Sequence, residues 1–198
     1  MAPPRLRPPP APLSAFTTID LVLLSHDHFD HVHPDDVLAL GNSVRWFVPL
    51  GMAPFLTGLG VDPDRVTEMD WWQTQAVEVE VNVRGKGRVT KTLTVACAPA
   101  QHWSARSVAS NQSLWASFVV KGEKNSFYHC GDTGYSRELF QSIGRAFGPI
   151  TLAAIPIGAY CPKWHLSNQH VCPKGEKAPP SQTRLAISSR PPFHQMRT

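Results

Sequence analysis

The first periodic stretch of the chain is Ile-Asp-Leu-Val-Leu-Leu-Ser at 19–25, where a run of branched aliphatics predicts a buried strand. Pro-Asp-Asp-Val-Leu-Ala-Leu-Gly-Asn (34–42) predicts a short helix, with Pro34 in its first turn, two acids near its N-terminus and Gly41 near its end. A strand is expected over 44–49 and a second helix over 52–59. Ala-Val-Glu-Val-Glu-Val-Asn-Val (76–83) alternates apolar with polar, and Arg-Gly-Lys-Gly then leads into Thr-Lys-Thr-Leu-Thr-Val-Ala-Cys-Ala-Pro (90–99), the pattern of a β-hairpin. Residues 113–122 and 126–132 predict another strand pair. Helical periodicity runs over 136–148 and stops at Gly148-Pro149. Residues 151–158 predict one more buried strand. Many strands with a few helices between them make a mixed α/β domain, and no repeat of fixed period interrupts it.

Composition narrows the class. At 198 residues and 42% apolar content the chain can bury one sizeable core. Twelve of the 19 prolines fall within 1–12 and 162–192, so both ends read as irregular around a structured body. No run approaches the roughly 18 apolar residues of a membrane span. The N-terminus Met-Ala-Pro-Pro-Arg-Leu-Arg-Pro-Pro-Pro-Ala-Pro-Leu lacks the apolar core of a signal peptide, which argues against secretion. Four cysteines without C-x-x-C spacing (Cys97, Cys130, Cys161, Cys172) fit thiols in a reducing compartment. The net charge of +4 comes from the ends, because residues 17–160 hold 11 basic and 14 acidic groups. A mildly acidic body argues against nucleic acid as a partner, while the basic ends leave contact with anionic lipid open.

The chemistry concentrates in Ser-His-Asp-His-Phe-Asp-His-Val-His (25–33), with four histidines and two aspartates directly after the first predicted strand. So many lone pairs in one turn repel or compete for protons unless a cation gathers them. In the order H-x-H-x-D-H, His26 and His28 can face one ion, and Asp30 and His31 a second about 3.5–4 Å away. Two later strand ends add donors: His102 after 90–99 and Asp132 after Ser-Phe-Tyr-His-Cys (126–130). One aspartate can bridge two ions with its two oxygens. His129 alternates onto the opposite face and reads as structural.

These motifs resemble the metallo-β-lactamase superfamily. Leu-Leu-Ser-His-Asp-His-Phe-Asp-His, Arg-Trp-Phe-Val-Pro-Leu-Gly (45–51), Glu-Met-Asp-Trp-Trp (68–72), Pro-Ala-Gln-His-Trp (99–103), His-Cys-Gly-Asp-Thr-Gly-Tyr (129–135), Phe-Gly-Pro (147–149) and Leu-Ala-Ala-Ile-Pro-Ile-Gly-Ala-Tyr (152–160) more narrowly resemble the N-acyl-phosphatidylethanolamine-hydrolysing phospholipase D family. The resemblance implies an α/β fold of the αββα sandwich type over 17–171, incomplete at both ends, between a proline-rich disordered leader (1–16) and a divergent, disordered tail (172–198). It implies two zinc ions. The first is held by His26, His28 and His102 with Asp132 bridging, the second by Asp30, His31 and Asp132. Asp30 and Asp132 are then the catalytic carboxylates, and Phe29, Gln169 and His170 lie along the substrate. Trp71, Trp72, Trp103 and Tyr160 either line an acyl or headgroup path or pack in the core.

The implied reaction is attack of a zinc-activated water on a phosphodiester, releasing a fatty-acid ethanolamide and phosphatidic acid. The implied partners are a phospholipid and a peripheral membrane surface, with a homodimer allowed and a cytosolic or membrane-surface location. The chain departs from that family in places. A further family histidine, in a H-W-G strand, has no counterpart after Val171, and His194 is the one replacement at a comparable distance. A T-D-P turn that precedes the histidine loop in the family is absent, and Ala105 stands near a basic position. These departures predict weak or absent lipid hydrolysis by the 198 residues alone. Two other functions fit the bare motif: a lactonase or soluble phosphodiesterase, or a catalytically dead fragment.

Overall fold

The computed structural model describes residues 11–16, 18–106 and 109–171. The leader's first ten residues, the tail from Cys172 onward and with it His194 lie outside the described residues. β1 (Leu21–Leu23), β2 (Arg45–Pro49) and β3 (Val66–Met69) form a parallel sheet in that order. β4 (Thr74–Val83), β5 (Gly87–Ala98), β6 (Ser117–Lys121), β7 (Ser126–His129) and β8 (Leu152–Ala154) form a second sheet in chain order, antiparallel except for the β7–β8 pair.

Side-chain parity builds the layers. In a strand, neighbouring residues face opposite sides. Phe47 and Met69 of the first sheet meet Val77, Val95, Cys97 and Phe118 of the second in the core between the sheets. Trp46 and Val48 face the other way and pack with Val37 of α1 (Pro34–Leu40) and Leu56 of α2 (Ala53–Gly58). Ala96, Ala98, Val119 and Tyr128 turn to α3 (Arg137–Phe147), which presents Phe140, Ile143 and Phe147. The result is helices, sheet, sheet, helix: an αββα sandwich.

Local chemistry sets the ends of the helices. His33 caps α1 by accepting from the Asp35 amide at 3.3 Å, Pro34 opens it, and Gly41 ends it at φ 45°. Ser136 caps α3 by accepting from the Leu139 amide at 3.3 Å. Among the described residues no helix is long and apolar enough to cross a membrane.

Three expectations change. The first strand is only Leu21–Leu23 and half-buried, because β1 is an edge of its sheet; the chain stays buried through Ser25 and His26 without strand pairing. The strand expected over 113–122 starts at Ser117, and the residues before it cross-link the sandwich, with the Leu114 amide donating to the Leu50 carbonyl and the Ala116 amide to the Ser25 carbonyl, both at 2.8 Å. The strand expected over 151–158 shrinks to Leu152–Ala154 and is not buried. It is the far edge of the second sheet, with Leu152 63% and Ile157 77% exposed. β3 has no sequence signal, since Val-Thr-Glu-Met lacks both a branched run and clean alternation.

Gly131 has φ +61°, and a Cβ there would lie 2.7 Å from Ser25 Cβ. Gly144 lies inside α3 with nothing within 4 Å of an added Cβ. We expect Gly131→Ala to destabilise the protein by roughly 2 kcal/mol or more. Gly144→Ala should stabilise it by about 0.5–1 kcal/mol. Denaturant unfolding of both variants checks the pair, and equal effects would contradict the packing described.

Candidate metal centre

Three strand ends supply the candidate ligands. The loop that follows β1 carries His26, His28, Asp30 and His31, the loop after β5 carries His102, and the loop after β7 carries Asp132. They converge because the cross-link from Ala116 to Ser25 and the close approach of Gly131 to Ser25 hold the edges of the two sheets together. A short helix, α4 (Lys163–Leu166), then delivers Asn168, Gln169 and His170 to the same place.

The donors fall into three overlapping groups: His26, His28 and His102; His26, His31 and Asp132; His102, Asp132 and His170. Within each group the ligand atoms lie within 4.8 Å of one another. His28 Nδ1 is 3.0 Å from His26 Nε2 and 3.3 Å from His102 Nε2. His31 Nε2 is 2.9 Å from Asp132 Oδ2, and His170 Nδ1 is 3.8 Å from the same oxygen.

Hydrogen bonds fix one tautomer. His102 Nδ1 lies 3.2 Å from the Gln169 carbonyl oxygen, which can only accept, so Nδ1 carries the proton and Nε2 points its lone pair into the cluster. Gln169 Oε1 accepts from Trp103 Nε1 at 3.2 Å, and the Trp103 ring stands edge-on to His28 with centroids 4.3 Å apart. Ser25 Oγ is 3.0 Å from His26 Nδ1. Gln101 binds the Asn168 carbonyl through Nε2, and its backbone amide donates to Thr133 Oγ1 at 2.8 Å, so the three loops brace one another.

The electrostatics suit a cation. Burial, with the neighbouring imidazoles of His31, His102 and His28, pushes His26 down to about 2. Burial likewise takes His102 down to about 4 against the opposing charge of Asp132, and it lowers His28. These rings are therefore neutral ligands at physiological pH. His31 behaves differently: burial works to lower it, but the hydrogen bond and charge of Asp132, with Asp30, leave it raised. Burial works to raise Asp132, yet its contact with His31 brings it down to about 2. Among the described residues, the buried His28 Nε2 has no hydrogen-bond partner. Three neutral ring nitrogens crowded together and a carboxylate shared between two groups are a donor set that fits a divalent, imidazole-preferring ion.

Not every residue singled out in the sequence joins a group. The Asp30 side chain is 82% exposed, 3.7 Å from His31 Nε2, and belongs to none of the three. The turn closed by the His31 and Val32 amides on the His28 carbonyl leaves it at the mouth of the site. Phe29 lines the same mouth, on a cleft of about 1240 Å³ whose other walls include Ile19, Val22, Val37 and Trp46. Gln169 acts through its carbonyl on His102, and His170 stands among the ligand candidates. Trp71 packs in the core between the sheets and Trp72 stacks on Phe147. Ala105 lines the cleft, and His129 ends β7 outside every group. Sequence reasoning misses Ser25 and the Gln169 carbonyl, for which no pattern of residue types exists.

Residues 1–186 match the family model described as the beta-lactamase superfamily domain. The chain is 39% identical over 178 residues to the N-acyl-phosphatidylethanolamine-hydrolyzing phospholipase D 1 of Caenorhabditis elegans, covering 86% of this chain and 48% of that protein. It is 35% identical over 179 residues to the mitochondrial N-acyl-phosphatidylethanolamine-hydrolyzing phospholipase D of Saccharomyces cerevisiae, covering 88% of this chain and 36% of that protein. The chain thus spans about half the length, or less, of these relatives. Igni18, a metallo hydrolase from the archaeon Ignicoccus hospitalis, shares the fold with a TM-score of 0.52 at 24% identity, over 74% of this chain and 55% of that one.

His28→Ala should remove most bound metal, because it deletes the ring on which two other imidazoles converge. Asp132→Asn should cost more metal than Asp30→Asn, since Asp132 belongs to two groups and Asp30 to none. Elemental analysis decides, and equal metal content in the two aspartate variants would count against a shared ligand. The pH dependence of the metal-free protein has a definite sign. His26 and His102 titrate well below the ordinary 6.5, so the unfolded chain binds more protons than the folded one below that pH. Burial lowers His28 and His129 as well, so the raised His31, which works the other way, is one group against four. Stability of the metal-free protein should therefore fall between about pH 7 and about pH 5, as followed by urea unfolding; a rise over that interval would contradict the burial of these rings.

Proposed function

The chain belongs to the beta-lactamase superfamily domain family, and from that premise we propose that it is a zinc-dependent phosphodiester hydrolase of the phospholipase D type, cleaving N-acyl-phosphatidylethanolamine to a fatty-acid ethanolamide and phosphatidic acid. The observation that carries the reading is the pair of adjacent ligand groups, His26–His28–His102 and His26–His31–Asp132, at the mouth of an apolar-walled cleft. Zinc held there supplies Lewis acidity and makes water nucleophilic near neutral pH.

The chain's own residues do the rest. Asp132, kept ionised by His31, places negative charge between the two groups. The Gln169 carbonyl holds His102 in the tautomer that presents Nε2. Asp30, exposed at the mouth, accepts a proton as water attacks phosphorus and returns it to the departing ethanolamide oxygen. His170 sits 3.8 Å from Asp132, where it can add a ligand to the second group or a donor to a phosphoryl oxygen. Phe29 and the aliphatic wall of the cleft receive acyl chain, a substrate that brings the protein to a membrane surface.

The test presents the zinc-loaded 198-residue chain with N-acyl-phosphatidylethanolamine in mixed micelles and, in parallel, with a soluble aryl phosphodiester and a lactone. Release of ethanolamide is expected, however slow, with a loss of at least ~100-fold in Asp132→Asn. Turnover of the soluble diester or the lactone with the lipid left intact would move the protein to another hydrolase class of the superfamily. Two bound zincs without turnover of any of the three would contradict the enzymatic reading.

A further inference from the structure

The loop from His26 to His33 is irregular: its His28 carbonyl accepts from the His31 and Val32 amides and its His33 carbonyl from α1, while other carbonyls take their partners from outside the loop. Two of them, those of Asp27 and Val32, stand on opposite shoulders of the loop. Both accept from one nitrogen of Arg106: Nη1 donates to the Asp27 carbonyl at 2.9 Å and to the Val32 carbonyl at 3.0 Å. The guanidinium is also held face-on by two rings, 4.9 Å from the centroid of Phe29 and 4.3 Å from that of Phe55. Phe29 belongs to the loop itself and Phe55 to α2 behind it. Burial lowers the Arg106 guanidinium, and the charge of the buried Asp27 carboxylate works against that.

Arg106 follows His102 by four residues, on the loop that carries the third imidazole of the first group. One side chain therefore joins two ligand loops that are far apart in sequence. Its contacts bracket His28, Asp30 and His31 without touching any of their ligand atoms. A planar cation with several fixed donors is well matched to this position, because it can bridge two carbonyls in its plane while rings cover its faces. A lysine keeps the charge and the reach but has no plane to stack.

We propose that Arg106 is a positioning residue for the metal centre, setting the spacing between the His26–His31 loop and His102 by clamping the carbonyls on both shoulders of the first loop. The proposal rests on the metal-centre reading above. Without the clamp the loop relaxes, and the three imidazoles of the first group must be gathered by the ion itself. The loss should therefore appear in metal affinity and in the ligand field before it appears in the fold.

The test is cobalt titration of the metal-free full chain with a competing chelator, following the visible d–d absorption, on the wild type, Arg106→Gln and Arg106→Lys. We expect Arg106→Gln to weaken cobalt binding about 10- to 100-fold and to alter the band shape. Arg106→Lys should recover part of both, and the melting midpoints of the metal-free proteins should stay close to one another. Wild-type affinity and an unaltered spectrum in either variant that folds would overturn the proposal, as would a lower melting midpoint with unchanged cobalt binding. Should Arg106→Gln fail to fold, Arg106→Lys decides by the same criteria. A wild-type chain that takes up no cobalt overturns the metal reading itself, an outcome distinct from a wild type that binds and variants that match it.

Discussion

The centre depends on how closely the β7 end approaches the β1 end. Gly131 can sit against Ser25 only because it has no side chain and adopts φ +61°. That approach, with the Ala116 amide on the Ser25 carbonyl, brings Asp132 from one sheet to His31 from the other, 2.9 Å apart. The rest follows from geometry. Once these two sheet edges are fixed, His26 and His102 enter from either side, and α4 can lay Gln169 against His102. Gly134 repeats the device: a Cβ there would run into the Asn168 backbone.

The same contact organises the electrostatics. Burial alone favours the neutral form of every one of these imidazoles and of Asp132. The His31–Asp132 pair escapes that fate by sharing a proton-mediated contact, whereas His26 and His102 do not and are depressed. The site therefore holds neutral ligands and an anionic bridge side by side, the combination that divalent ions with nitrogen preference select. The surrounding residues act on the ligands and not on an ion: Gln169 through its carbonyl, Trp103 through its ring, Arg106 through two carbonyls of the loop.

Much of the fold was legible because parity is written into the strands. Val77 and Val79 alternate with Glu78 and Glu80, and the hairpin to β5 follows from that alternation and from Gly85 and Gly87 at positive φ. Phe140, Ile143 and Phe147 likewise announce a helix face. β3 and β8 were harder, because short edge or parallel strands bury little and Val-Thr-Glu-Met and Leu-Ala-Ala carry no clear period. At the site, H-x-H-x-D-H, His102 and Asp132 named the donors, but residue types do not specify rotamers. The turn at 28–32 therefore leaves Asp30 at the mouth while His170 comes in among the ligand candidates. Contacts made through backbone carbonyls, such as those of Gln169, Asp27 and Val32, have no sequence signature at all.

The central claim is that two ions occupy these overlapping groups. A crystal of the zinc-loaded protein, measured with anomalous scattering at the zinc edge, tests it most directly. Two peaks are predicted about 3.5–4 Å apart. One should lie at about 2.0–2.1 Å from nitrogens of His26, His28 and His102, the other at bonding distance from His31 and Asp132. No peak, or a peak held by residues outside the three groups, would contradict the account.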